Sequence, residues 1–358
     1  MFRDRPLRSA GTGRIPGGSG LVASVVGLCL VAVLGGCAGS SDADIAARSV
    51  RGIDPRLTAD QEASYSNRQS DLQPVSLQFV TVHENERSAP YYPFEGLSGL
   101  AFGDDGTLYI CDELGGRIHG WDQSRNEWFQ FNVPGGRYAR PVDVRVDGFL
   151  VLVLDMDGHV LQRYDLDGVF LDRLVDFRYL DPGYDRLPTS FDVDVDGGLV
   201  VCDGQEDQIL ILDSFLNLRP TVGGTGSFQG QFRDPSGVVF LRDGTFVVAD
   251  RGNRRLQHFN RLGAFLEEVG GEFAIDNPLL TPQGLARDEY GNLFVADPAS
   301  GKVHVYDAGF EHLFSVGSEL GLLASPEGPI DVAVSEDGLL AVSDRSRQAV
   351  LLYRILYR

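Results

Sequence analysis

The chain has 358 residues and a formal net charge of −20 at pH 7, with 51 acidic side chains against 31 basic ones. So negative a chain repels nucleic acid and anionic lipid headgroups, which excludes both as direct partners of the folded part. Its four cysteines predict no disulfide. Cys29 lies in the apolar leader and Cys37 directly follows it, and Cys111 and Cys202 fall two repeat units apart, beyond the roughly 7 Å Cα separation a disulfide allows, so these two read as small buried apolar residues.

In chain order, residues 1–20 carry Arg3, Arg5, Arg8 and Arg14 against one acid, and residues 21–35 (LVASVVGLCLVAVLG) are apolar. That core is short for a membrane span and predicts a secretory signal. It ends in Leu34-Gly35-Gly36-Cys37, which resembles the bacterial lipobox. The resemblance implies cleavage before Cys37 and lipid attachment to it, with an incidental cysteine after an ordinary signal as the alternative. Acyl chains at about 0.8 kcal/mol per buried methylene would anchor the chain stably. Ala38 stands where inner-membrane lipoproteins of Gram-negative envelopes carry Asp, so the resemblance implies the outer membrane. Residues 1–36 are therefore expected as signal peptide, and loss of their four arginines and one aspartate deepens the charge from −20 to −23. Residues 37–73 are polar and poor in aromatics, and are expected as a disordered tether behind the lipidated cysteine.

From residue 74 onward a repeat governs the chain. An aspartate ends an apolar run at Asp112, Asp155, Asp203, Asp250, Asp297 and Asp344, at steps of 43, 48, 47, 47 and 47 residues. Each unit has a short apolar stretch, a turn such as Asp243-Gly244 or Tyr290-Gly291, a β-branched run to the aspartate, a polar loop and an alternating strand such as Lys302–Tyr306. Asp-Gly between apolar runs is a hairpin signal, because glycine takes positive φ without steric cost. Ten residues after each marker stand Asp122, Asp165, Asp213, Asn260, Asp307 and Arg354, preceded by Trp121, Tyr164, Leu212, Phe259, Tyr306 and Tyr353. Large side chains there suit packing between sheets, and polar residues after them suit a strand-ending turn. The period predicts an all-β, six-bladed β-propeller of four-stranded blades. The last unit holds only three strand runs before Arg358. The strand-like Val75–Val82 run is expected to pair with Ala349–Tyr353 and close the ring, covering an otherwise bare edge.

The units Pro235–Asn260 and Thr281–Asp307 resemble NHL repeats, with P-x-G, a turn, an apolar run to aspartate and a final strand followed by glycines; the resemblance covers roughly residues 75 to 358. It implies the same six-bladed fold. It also assigns Gly223–Gly230 to a connection between blades. The segment lacks the Lys-[Ser/Thr] ending and following helix of a phosphate loop, and no cofactor is expected.

Functional candidates follow from the register. The P-x-G glycine position lies at the channel mouth and reads Gly99, Asp143, Asp192, Gly237, Gly284 and Asp331 around the ring. The three aspartates either form a ligand or cation site or cap neighbouring backbone N–H groups. Loops on the same face divide by charge: Glu113, Asp157, Glu206 and Asp207 on blades 1 to 3, Arg251, Arg254, Arg345 and Arg347 on blades 4 and 6. Such a face would orient a dipolar protein or peptide. The marker aspartates read as structural acceptors of backbone hydrogen bonds. His119 and His304 share a mid-strand position away from the channel, and none of the six histidines has metal-ligand spacing.

The leading expectation is a lipid-anchored, non-enzymatic propeller of the bacterial envelope that binds a protein or peptide through this face. The alternative is a metal-dependent hydrolase. Glu95-Gly96-Leu97 faintly resembles the Glu-Gly-Pro of gluconolactonase-like (SMP-30) propellers, which implies a divalent cation at Glu95. Those proteins place asparagines just before the strand-start position of later blades, where this chain has Val142, Phe191, Ser236, Gln283 and Ile330.

Overall fold

Blade 4 shows how the sequence becomes a blade. Pro235–Phe240, Phe246–Asp250, Arg255–Phe259 and Phe265–Gly270 pair antiparallel in that order. Gly244 takes φ +80° in the first hairpin turn. Successive residues of the second strand point to opposite faces: Phe246 and Val248 pack on blade 3, Val247 and Ala249 on blade 5. Both faces are buried, so the strand is apolar throughout rather than alternating.

The computed structural model describes residues 72–84 and 94–358 except 182, 318, 319, 322 and 323. The expected signal peptide, Cys37 and the tether up to residue 71 lie outside the described residues. The described part forms six four-stranded antiparallel sheets. Their inner strands are Leu97–Phe102, Pro141–Asp147, Pro188–Val193, Pro235–Phe240, Leu285–Arg287 and Pro329–Val334. Among the described residues no helix is long and apolar enough to cross a membrane.

Six apolar clusters join neighbouring blades. The six large residues picked out by the register, Trp121, Tyr164, Leu212, Phe259, Tyr306 and Tyr353, each fall in a different cluster. The ring closes as expected. Pro74–Glu84 pairs antiparallel with Ala349–Tyr357 and forms the outermost strand of blade 6. Leu77 joins the core between blades 5 and 6. His83 packs tilted against Trp121, 4.2 Å between ring centroids, and so ties the closing strand to blade 1.

The marker aspartates carry out one structural task. Asp112 accepts the Glu95, Gly96 and Gly115 amides at 2.9–3.1 Å. Asp155, Asp297 and Asp344 repeat the arrangement with amides 17 and 16 residues upstream or 16 and 15, and three downstream. Each therefore pins the chain entering its blade to the loop between the second and third strands. Burial pushes the carboxyls of Asp112 and Asp297 upward. The imidazoles of His119, 3.7 Å from Asp112, and of His304, 3.6 Å from Asp297, together with those amides, outweigh it and hold both below the usual carboxylate range. From the third strand of their blades, His119 and His304 thus stand beside the aspartates that end the second. Cys111 and Cys202 are free and buried.

Candidate functional site

An inner strand has no further strand beside it, so its outward amides and carbonyls face the channel unpaired. Side chains from adjoining blades satisfy them. The Asp143 carboxylate accepts the Phe191 amide at 3.0 Å and the Ser190 hydroxyl at 2.8 Å. Asp192 accepts the Phe240 amide at 2.7 Å, and Asp331 accepts the Leu100 amide at 2.8 Å across the ring closure. The three aspartates cap backbone N–H groups of the next blade, one of the two roles the register allows them.

The glycines at the same register position are there for space. A Cβ on Gly99 would lie 2.6 Å from the Cα of Asp143, and one on Gly284 would collide with Asp331. Glycine on one inner strand thus makes room for an aspartate-bearing strand beside it.

Two arginines missed by the sequence reading complete the channel. Arg145 donates to Asp143 at 2.6 Å and to the Val144 carbonyl at 2.8 Å, and lies 3.4 Å from Asp192. Burial opposes its charge, yet Asp143, Asp192 and Asp331 raise its pKa above the ordinary arginine value. Burial pushes the carboxyls of Asp192 and Asp331 upward, and Arg145 opposes that shift. Arg287 donates to the Phe240 carbonyl at 2.7 Å. The signal for Arg145 was present in Val142-Asp-Val-Arg-Val-Asp147, where charged residues alternate on a strand that should be apolar.

Above this cluster opens a cavity of about 200 Å³. The structure brings Asp143, Asp331, Glu113, Arg251 and Arg345 to its wall, with Arg140 and Asp234, neither of which was singled out from sequence. Opposite charges meet there rather than segregating by side. Glu113 accepts from Arg140 at 2.6 Å and pairs with Arg345, whose Nε also donates to the Leu97 carbonyl at 3.1 Å. Arg251 donates to Asp234 through Nε at 2.8 Å. The expected charge division fails at these points because ring closure sets blade 6 beside blade 1, and because Asp234 enters from the link between blades. Asp157 stands at the rim, 3.8 Å from Arg140. Glu206, Arg254 and Arg347 are not on the cavity wall. Arg254 adopts φ 57° and donates to the Leu279 carbonyl at 3.4 Å, Arg347 donates to the Ser325 carbonyl and to Glu84, and Asp207 accepts the Asp234 amide at 2.7 Å.

The hydrolase alternative implies a divalent cation, and these residues do not fit one. A guanidinium, Arg145, occupies the place among the channel carboxylates that a cation would take. Glu95 is half exposed, 3.4 Å from Arg117, and off the cavity wall. Among the described residues no three His, Cys, Asp or Glu side chains gather to hold a metal ion.

Around the same face runs an arc that sequence reading did not anticipate. Tyr179, Phe228, Phe273 and Ile275, each 76–93% exposed, project from the links between blades 2 and 3, 3 and 4, and 4 and 5. Their backbones are held from below. Arg186 joins Asp181 of the first link to the marker Asp203. Arg255 donates to the Phe228 and Gln231 carbonyls, both at 2.9 Å, and Asn253 to the Gly226 carbonyl at 2.8 Å. Asn277 binds the Arg254 and Gly271 carbonyls. These exposed apolar side chains thus stand on loops whose backbone is fixed by buried hydrogen bonds.

Comparisons agree with this architecture. The NHL repeat family matches residues 232–259, which are blade 4 up to the end of its third strand. The E3 ubiquitin-protein ligase TRIM32 of Mus musculus is 31% identical over 134 residues, 33% of this chain and 20% of the ligase. The chain thus spans about a fifth of that relative's length. A gluconolactonase from Xanthomonas campestris superimposes with a TM-score of 0.55 at 17% identity, covering 80% of this chain and 89% of that one. A virginiamycin B lyase from Staphylococcus aureus gives 0.54 at 10% identity, covering 80% and 100%. At such identities the structural likeness speaks for the fold alone. The chain is a six-bladed β-propeller whose fourth blade carries an NHL repeat.

Proposed function

We propose that this propeller is a non-enzymatic binding module of the bacterial cell envelope, held by a lipid on Cys37, which takes a protein or peptide partner on its channel-mouth face. The observation that carries the reading is the arc of Tyr179, Phe228, Phe273 and Ile275 on pinned links. Aromatic side chains beside arginine match the composition of protein-recognition surfaces. Pinned backbone lowers the ordering cost that binding otherwise incurs. Rim pairs such as Arg140 with Asp157 and Arg251 with Asp234 supply orientation more than affinity. The mouse relative, a ubiquitin-protein ligase by name, agrees in kind with a protein partner.

The test is affinity capture from an envelope fraction with the full chain and with a Phe228→Ala, Phe273→Ala, Ile275→Ala variant. These side chains are exposed, so the variant keeps its fold, while loss of interface anchors costs more than about 1 kcal/mol each. A specific partner retained by the parent and lost by the variant supports the reading. Equal capture by both contradicts it. The fold likeness to a gluconolactonase and a lyase motivates a parallel assay on lactones; turnover that depends on Glu113 would move the mouth from binding to catalysis.

A further inference from the structure

The opposite face of the ring carries a second group of exposed apolar side chains. Phe149 and Val195 occupy the first hairpin turns of blades 2 and 3, and Phe215 and Leu262 the last hairpin turns of blades 3 and 4; all four are 72–94% exposed. They belong to three consecutive blades. Arg261, beside Leu262, lies 3.9 Å from Asp196, beside Val195, which joins the tips of blades 3 and 4. The first-hairpin tips of blades 1, 4, 5 and 6 carry charged residues instead: Asp104 and Asp105, Arg242 and Asp243, Glu289, and Glu336 and Asp337. The four apolar tips therefore share one face of three consecutive blades.

The chain enters the propeller on this face. The Leu72 carbonyl accepts from Asn292, and Gln73 donates to Asp307; both partners sit in hairpin turns of blade 5 on the same side as the four tips. Cys37 precedes Leu72 by 35 residues, which span at most about 120 Å. A lipid anchor there starts its tether from the face by which the chain enters, so that face is the one that reaches the bilayer with the least extension of the tether. The geometry points to a lipid surface as the occupant of the apolar tips: we propose that Phe149, Val195, Phe215 and Leu262 rest on the bilayer and aim the mouth face away from it. Asp194 and Asp196 flank Val195. The favoured surface is consequently zwitterionic, because anionic headgroups would be repelled. This inference rests on the anchoring reading, since the anchor is what holds the chain beside a bilayer.

The experiment uses the full chain from a lipoprotein-processing host, reconstituted in phosphatidylcholine vesicles containing a nitroxide-labelled lipid. Fluorophores are placed by Ser214→Cys, next to Phe215, or by Ser227→Cys, next to Phe228; both positions are exposed. The expected result is quenching at position 214 and none at 227, weakened by adding phosphatidylglycerol. Each inserted tip is worth on the order of tenfold in occupancy of the docked orientation. A variant with serine at all four tips should accordingly lose the quenching while still floating with the vesicles. If the parent chain floats but neither probe is quenched, or both are, the membrane-facing patch is overturned while the anchor stands. If the parent does not float, the anchoring reading fails and takes this inference with it. Protection of position 214 in lipid-free solution, accompanied by a doubled mass, would assign the patch to a second copy of the chain and overturn the lipid surface.

Discussion

Replacing Arg145 by Met puts the channel electrostatics to a direct test. The side chain fits a methionine, and the substitution removes only the guanidinium. The parent holds Asp143 at 2.6 Å and Asp192 at 3.4 Å, with Asp331 close enough to contribute to the raised arginine pKa. Each aspartate keeps at least one backbone amide in the variant, but the three carboxylates lose the charge that offsets them. Removing one partner of a buried ion pair costs about 3–5 kcal/mol, because the other charge stays buried. The loss should depend on pH. Burial already raises the Asp192 and Asp331 carboxyls, and without Arg145 they rise further. A carboxyl whose folded pKa exceeds its unfolded one favours the folded state below that pKa, and the benefit disappears as pH rises through it. The deficit of the variant is therefore largest at pH 8 and shrinks at pH 5. Urea unfolding at both pH values, with slopes compared to confirm the same transition, measures it. A deficit under about 1 kcal/mol at pH 8, or one that grows at pH 5, refutes this account of the channel.

Burial lowers the pKa of His83 from 6.5 to about 4. Its stabilising contribution is thus full above pH 6.5 and disappears as pH falls toward 4, by about 3 kcal/mol at most; His83→Phe should flatten that part of the acid-unfolding profile, and an unchanged profile would remove His83 as its cause. Gly99→Ala places a methyl 2.6 Å from the Asp143 backbone, which cannot rotate away, so thermal unfolding should reveal a loss of about 1–3 kcal/mol. Asp344→Ala strips acceptors from the Glu327, Gly328 and Arg347 amides, and a loss of at least about 1 kcal/mol is expected in the same assay.

The fold was largely legible in the sequence because a propeller repeats its physics. One aspartate per blade meets the same need for an acceptor in the same loop, so its spacing revealed the blade count and the register. The closing strand was legible for a related reason: a three-stranded last unit leaves a bare edge, and Val75–Val82 was the unassigned strand-like run available to cover it. The site was less legible. Glu113 and Arg345 are 232 residues apart and meet only because the ring closes. Asp234 lies in a link rather than in a repeat position, so the register could not place it against Arg251. The aromatic arc escaped notice because its residues share no repeat position; only the pinned paths of the links bring them to one rim.

The most direct test of the account is photo-crosslinking in living cells. A photoreactive amino acid at Phe273, on the mouth-face arc, should yield a discrete protein adduct, and the same group at Val195, on the opposite face, should yield none. Protein adducts from position 195 with none from 273 would contradict the assignment of the mouth as the partner face.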